Sequence, residues 1–123
     1  MLLLWYAETA NENGNTPQAL WALNEVRKRA RQGVPGVLPE VTTMDKVQLQ
    51  AAIWHEQRVE YGMENERFFD LVRQGRAGTV LRAYSQKYNT VKGSFKDGIN
   101  EVAPIPQLEI DISQGRLTQN NGY

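Results

Sequence analysis

Carboxylates and arginines recur through residues 55–75, HEQRVEYGMENERFFDLVRQG, at spacings that could support chemistry. Three glutamates spaced four residues apart are followed by three charged residues spaced three apart: Glu56, Glu60, Glu64, Arg67, Asp70 and Arg73. Residues three or four apart are neighbours on the surface of a helix. The pattern therefore has three interpretations, namely a metal site, a paired-carboxylate hydrolase site, or a network of ion pairs within the fold.

The metal interpretation starts from His55-Glu56, which is the beginning of a His-Glu-x-x-His zinc motif. That motif needs a second histidine one helical turn later, so that both imidazoles reach the metal. Position 59 is valine, His55 is the single histidine of the chain, and there is no cysteine. The sequence therefore excludes a zincin and every cysteine-based metal site, and it predicts neither a metal nor a cofactor.

The hydrolase interpretation requires two carboxyl groups about 5 to 10 Å apart across a substrate cleft. Glu60 and Glu64 could meet that distance if both lie on one helix. Carboxylates one turn apart are common on any helix, so the signal is weak, and the sequence assigns no catalytic residue.

The structural interpretation treats the glutamates as partners of cations. Like charges at four-residue spacing destabilise an isolated helix unless opposite charges approach them. The nearest candidates are Arg67 and the basic pair Arg27 and Arg29, whose planar guanidinium groups can hold two carboxylate oxygens at once. Asp70 is expected to pair with Arg67 or Arg73.

A solvated charged face is the alternative to this network. Trp54, Phe68 and Phe69 lie among the charges, and they favour a network that is partly packed. The prediction is therefore a semi-buried set of ion pairs.

Composition limits the remaining function classes. The chain has 123 residues, 41% of them hydrophobic, and 14 basic residues balance 14 acidic ones. A neutral chain lacks the basic excess that nucleic acid or an anionic membrane attracts, so no nucleic-acid partner is predicted. The opening MLLLWYAE is too short for a signal peptide or a membrane span, and it enters a helical pattern without a cap. Met1 is therefore expected to lie inside a longer parent protein.

Residues 1–33 are predicted to form a helical hairpin. Apolar residues at helical spacing occupy residues 2–13, and NGN at 13–15 ends that helix. Thr16 is the expected N-cap of a second helix with Pro17 at its first position, and Gly33 ends it. The hairpin is close to the roughly 34-residue tetratricopeptide period, although one copy does not establish a repeat.

The rest of the chain divides into a helical and an irregular part. After a Pro/Gly loop through residues 33–42, residues 43–89 read as helices, with Thr42 or Thr43 as the first cap. Glycine at 62 permits a bend or break, and ERFFDLVRQ is predicted to continue as helix. Residues 90–123 are rich in Gly, Pro and Asn, so an ordered irregular tail is expected, with one short turn of helix at PQLEI. The prediction is one all-α domain over residues 1–123.

Three segments in order, ALNEVRKRA, IWHEQRVEYGMENERFFDLVRQG and APIPQLEIDISQGRLTQNNGY, resemble the C-terminal part of the SusD/RagB family. The matching positions fall in the patterns N-x-V-R-x-R-A, E-x-R-x-E-x-x-x-E-x-x-R-x-x-D-L-x-R-x-G, P-I-P-x-x-E-I-D and Q-N-x-G-Y. These are Asn24, Val26, Arg27, Arg29, Ala30, Glu56, Arg58, Glu60, Glu64, Arg67, Asp70, Leu71, Arg73, Gly75, Pro104, Ile105, Pro106, Glu109, Ile110, Asp111, Gln119, Asn120, Gly122 and Tyr123. The family pattern has Arg, Leu, Ala and Trp where this chain has Gln57, Tyr61, Gly62 and Gln74, and these departures are expected to loosen packing locally.

The resemblance implies a fold of tetratricopeptide-like hairpins and a non-catalytic function. Members are nutrient-binding outer-membrane lipoproteins of Bacteroidetes that bind a glycan or similar nutrient. They deliver it to a SusC-type TonB-dependent transporter at the cell surface. Membrane association would then be through a lipid anchor outside this chain.

The alternative function is a helical-repeat interaction module without a ligand of its own. Six aromatic residues could stack on a sugar ring: Trp5, Tyr6, Trp21, Trp54, Tyr84 and Tyr88. Aromatics at helical spacing more often pack between helices, so the sequence leaves the ligand-binding residues unassigned.

Overall fold

The computed structural model describes residues 2–34, 36–90 and 95–123. Within these ranges all regular secondary structure is helical, which confirms the all-α prediction. The helices are α1 (Leu2–Glu12), α2 (Thr16–Arg31), α3 (Lys46–Glu60), α4 (Arg67–Arg73), α5 (Ala77–Tyr88) and α6 (Gln107–Ile112).

The chain forms two compact units, Met1–Arg67 and Phe68–Tyr123. The single domain over residues 1–123 stays a prediction. Parts of the sequence predictions lie outside the described residues: Met1, Pro35 of the predicted loop, and residues 91–94 of the predicted irregular tail.

Helices α1 and α2 form the predicted hairpin. The turn between them contains Gly14 with a φ of +78°, a backbone conformation that glycine adopts without a steric cost. The predicted N-cap was wrong by one residue, because Asn15 takes that position and Thr16 is already helical. Pro17 is accordingly the second helical residue and not the first, but it still lies in the first turn, where its missing N–H costs nothing.

The core of the first unit lies where α1, α2 and α3 pack together. Leucine and isoleucine side chains fill its centre, and alanines let the helices approach closely. Its buried residues are Leu4, Ala7, Ala10, Ala19, Ala22, Leu23, Val26, Leu49, Ile53 and Tyr61. A single hairpin of this size cannot bury its own apolar stripe. Here the hairpin buries that stripe against a third helix.

The capping of α3 differs from the sequence prediction. Asp45 is the N-cap, and its side chain accepts a hydrogen bond from the backbone N–H of Gln48 at 2.8 Å. Thr43 instead accepts from the backbone N–H of Asp45 at 3.2 Å. An aspartate cap also places a negative charge at the positive end of the helix dipole.

The region after Glu60 is where the sequence left a bend or break open, and the structure shows a break. Helix α3 ends at Glu60, and residues 61–66 form turns before α4 begins at Arg67. Met63 and Asn65 have positive φ values of 72° and 60°, which no α-helix permits. ERFFDLVRQ is thus helical only from Arg67 to Arg73.

Buried polar side chains join α1 to α3. Asn11 donates to the side-chain oxygen of Gln50 at 2.7 Å and to the carbonyl of Lys46 at 3.0 Å. One turn away, Glu8 accepts from the indole N–H of Trp54 at 3.2 Å and from the amide of Gln57 at 2.8 Å. These hydrogen bonds form only in a narrow range of relative positions of α1 and α3. They therefore set the register between the two helices.

In the second unit, α5 begins beside residues 95–97. Asp97 forms an ion pair with Arg82 at 2.9 Å, and its carboxylate lies against Gly78, where a Cβ would be only 1.8 Å from an Oδ1 atom. The rings of Phe68 and Phe95 meet edge to face, with centroids 6.4 Å apart. On α4, Leu71 is buried, whereas Phe68 is more than one third exposed.

Hydrogen bonds from side-chain amides hold the C-terminal tail. Gln119 pairs with both backbone groups of Ile105, accepting from its N–H and donating to its carbonyl, each at 2.8 Å. Asn120 donates to the carbonyl of Ala103 at 2.7 Å, and the Tyr123 hydroxyl donates to Val102 at 3.1 Å. The Q-N-x-G-Y motif thus supplies the contacts that fix residues 102–105.

The apolar residues of the tail are at most half-buried. Leu108 and Leu117 are exposed, whereas Ile105 and Ile110 are half-buried. Hydrogen bonds from side chains to the backbone therefore order this segment more than apolar burial does. Without these bonds, the backbone groups would lack hydrogen-bond partners. The short helix predicted at PQLEI is confirmed as α6.

The Gln119→Ala variant is expected to release the tail without unfolding the first unit. The change removes both bonds to Ile105, and exchange of the Val102, Ala103 and Ile105 amides should become at least about tenfold faster, since each of the two lost hydrogen bonds is worth about 1 kcal/mol. Gln114→Ala is the matched control, because Gln114 lies in the exposed turn after α6. Equal exchange rates in the two variants would contradict the role of Gln119.

Candidate functional site

The charged cluster of the sequence analysis is largely a set of ion pairs between α2 and α3. Arg27 and Glu56 form a close pair of 2.5 Å, with side chains only 13% and 6% exposed. Arg29, two residues further along α2, pairs with Glu60, one turn further along α3, and this arginine is mostly exposed. The predicted partners of Glu56 and Glu60 are therefore confirmed.

The rest of the predicted network is confirmed in part. Asp70 pairs with Arg73 at 3.1 Å, one of its two expected partners. Glu64 lies in the exposed turn after α3, so the ladder of glutamates on one helix ends at Glu60. The sequence failed here because Glu64 is four residues from Glu60 only along the chain, and the helix ends between them. Contacts of Glu64 and Asp70 with Arg67 stay predictions.

The sequence analysis did not predict a second role of α2. Asn24 uses both side-chain atoms on Val41, donating to its carbonyl and accepting from its N–H, each at 2.9 Å. Arg27 donates twice to the carbonyl of Pro39, at 3.1 and 2.9 Å, and Arg31 donates to Leu38 and Glu40 at 3.3 and 3.2 Å. The polar residues of α2 thus hold residues 38–41 along the helix.

One signal in the sequence could have revealed this contact. Asn24 follows Leu20 and Leu23 at helical spacing, so it lies at the edge of the apolar face of α2. An amide at that place needs partners, and a neighbouring loop supplies both a donor and an acceptor. The loop residues themselves carry no pattern that identifies them as those partners.

The aromatic candidates are mostly at the surface. Trp5, Tyr6, Trp21, Tyr84 and Tyr88 are about half exposed and none belongs to the buried core. The rings of Tyr84 and Tyr88 lie 4.6 Å apart on α5. Trp54 is the exception, because it is half-buried and donates its indole N–H to Glu8.

Two further properties of the described residues bear on function. No group of three or more histidine, aspartate and glutamate side chains among them is arranged to hold a metal ion. None of the helices in the ranges 2–34, 36–90 and 95–123 has the length and apolar character needed to span a bilayer.

The fold and its pattern of ion pairs and hydrogen bonds define a class of helical proteins. In this class an α-helical hairpin packs on a third helix, and the last part of the chain is a largely irregular tail. Residues 2–123 match the model of the SusD family, and the chain belongs to this family. A search of curated proteins gave no match.

A solved structure agrees with this assignment. The chain is similar to the crystal structure of a SusD homologue from Bacteroides thetaiotaomicron, with a TM-score of 0.82 and 25% sequence identity. The similarity covers 98% of this chain and 25% of that one, so the chain spans a quarter of the length of the protein it matches.

Proposed function

We propose that the chain serves in non-catalytic binding of glycans or related nutrients at the bacterial outer surface, and in their delivery to a SusC-type TonB-dependent transporter. The match of residues 2–123 to the SusD family carries this proposal. The similarity to a solved SusD homologue over nearly the whole chain supports it.

The chemistry of the charged cluster supports a binding function over hydrolysis. Glycoside hydrolysis needs one carboxyl group free to give a proton and a second facing it across the substrate. Glu56 is buried against Arg27, and Glu60 is paired with Arg29. Both carboxylates therefore face cations of the same fold, and Glu64, the other member of the candidate pair, lies outside the helix.

Binding can be tested with a panel of soluble polysaccharides. Electrophoresis of the purified chain in native gels that contain one polysaccharide each should show retardation with at least one of them. Serum albumin in the same gels controls for sieving. If no polysaccharide retards the chain, the proposal fails and the alternative of a helical-repeat interaction module without its own ligand is favoured.

The proposal also predicts that bound polysaccharide is not cleaved. Reducing ends are expected to stay at the level of the buffer control after prolonged incubation with each polysaccharide of the panel. The Glu60→Gln variant is the matched control, because it removes one carboxylate of the candidate pair. Release of reducing ends that disappears in this variant would overturn the non-catalytic assignment.

A further inference from the structure

A surface groove follows the exposed side of α2 and is also lined by residues 33, 34, 36, 37, 39, 40 and 44. It consists of two hollows of about 460 and 350 Å³ that share Glu40 on their walls. At the helical rise of 1.5 Å per residue, the helical part of the groove from Pro17 to Arg31 is about 21 Å long. We call it the α2 groove.

The walls of the α2 groove are mainly apolar, and Trp21 is its largest side chain. Proline, valine, leucine and methionine side chains accompany it: Pro17, Leu20, Val34, Val37, Pro39 and Met44. Trp21 is 55% exposed, whereas Ala19, Ala22 and Leu23 of the same helix are buried in the core. The indole is therefore not needed to hold the hairpin together, and it presents an apolar ring to the groove.

Charged groups at the edge of the groove neutralise each other. Lys28 lies 3.6 Å from Glu25, and Arg31 lies 3.2 Å from Glu40. A ligand with a net charge would meet no uncompensated opposite charge among these four residues. The carboxylate oxygens of Glu25 and Glu40 still have lone pairs that can accept hydrogen bonds from hydroxyl groups.

The groove is also held in one shape before any ligand arrives. Asn24 fixes the backbone of Val41, and Arg27 fixes the carbonyl of Pro39, which lies on the groove wall. A wall that is already ordered spares the entropy cost of ordering it on binding.

We propose that the α2 groove is a binding site for a neutral glycan chain, with the apolar face of one pyranose ring stacked on Trp21. The hydroxyl groups of that chain donate to Glu25 and Glu40. A sugar ring combines an apolar face with a hydroxyl-bearing edge and no charge, which matches the aromatic wall and the self-neutralised rim. This inference rests on the proposed function and adds the place and the charge class of the ligand.

The test is calorimetric titration of the purified chain with maltohexaose, cellohexaose and mannohexaose, and with hexagalacturonate as the anionic comparison. At least one neutral hexasaccharide should bind. Trp21→Ala should weaken its affinity by about tenfold or more, because the stacked ring is lost. Trp21→Phe should restore part of the affinity. Trp5→Ala is the matched control, since Trp5 is 42% exposed on α1 and lies outside the groove.

The outcomes separate this site from the proposed function. Binding that is equal in the wild type and the Trp21→Ala variant, with unchanged circular dichroism, would overturn the α2 groove and leave glycan binding intact. Tighter binding of hexagalacturonate than of every neutral sugar would overturn the neutral class. Polysaccharide binding in the native gels, without any hexasaccharide binding here, would also place the ligand elsewhere on the chain. Absence of binding in both assays would refute the proposed function and this site with it.

Discussion

The Arg27→Ala variant is expected to lose about 3 to 5 kcal/mol of its free energy of unfolding, the cost of leaving a buried charge without its partner. Glu56 is almost fully buried and lies 2.5 Å from Arg27. The substitution also removes two hydrogen bonds to Pro39. Because a domain of this size has only about 5 to 15 kcal/mol in total, chemical denaturation should show a marginally stable protein.

The exposed pair in the next turn provides the control. Arg29 is 67% exposed, and its pair with Glu60 joins the same two helices. Arg29→Ala should therefore cost under about 1 kcal/mol. Equal losses in the two variants would mean that burial does not decide the strength of these pairs.

A double variant distinguishes an unpaired charge from lost packing. In Arg27→Met combined with Glu56→Leu, both charges are replaced by apolar groups, so no buried charge remains. The double variant should be more stable than Arg27→Ala, since replacing a whole buried pair is often neutral or stabilising. A double variant less stable than Arg27→Ala would show that lost packing, and not the unpaired charge, causes the loss.

The Leu23→Ala variant is expected to lose about 2 to 5 kcal/mol, the range for truncating a buried leucine. Leu23 is fully buried in the core that α1, α2 and α3 share. The loss has two parts. The first is the burial free energy of the removed methyl groups, and the second is the cost of a cavity that the surrounding helices cannot fully close.

Thermal and chemical denaturation followed by circular dichroism would measure this loss. Leu2→Ala is the matched control, because Leu2 is 78% exposed and a surface change of this kind is usually within about 0.5 kcal/mol. A Leu23→Ala variant as stable as Leu2→Ala would show that the core has been placed on the wrong face of α2.

Patterns of a few consecutive residues predicted those helices whose ends are set by residues close to them in the sequence. The Asn/Gly turn, Pro17 and the apolar spacing of α2 each act within a few positions of the chain, and the hairpin formed where they indicated. The same holds for α6, which begins directly after Pro106. The break after Glu60 was left open, because Met and Glu favour helices and only Gly62 opposes one.

The buried and the exposed ion pair between α2 and α3 show how far the sequence could predict such contacts. The ladder of glutamates required cations, and Arg67 and the basic end of α2 were their candidate sources, so Arg27 and Arg29 were among the partners that charge balance predicted. The sequence predicted partial burial of the network but not which pair is buried, because that depends on how closely α2 and α3 pack. That difference separates a loss of 3 to 5 from one below 1 kcal/mol.

The sequence by itself determined the helical class, the hairpin and the family, because each depends on residue order and local spacing. Only the tertiary structure decided which polar residues meet across the fold. Asn24 reaches Val41 and Gln119 reaches Ile105 over more than ten positions of chain. Such contacts arise when packed helices bring distant backbone groups together, and a buried amide must then pair with whichever donor and acceptor lie beside it.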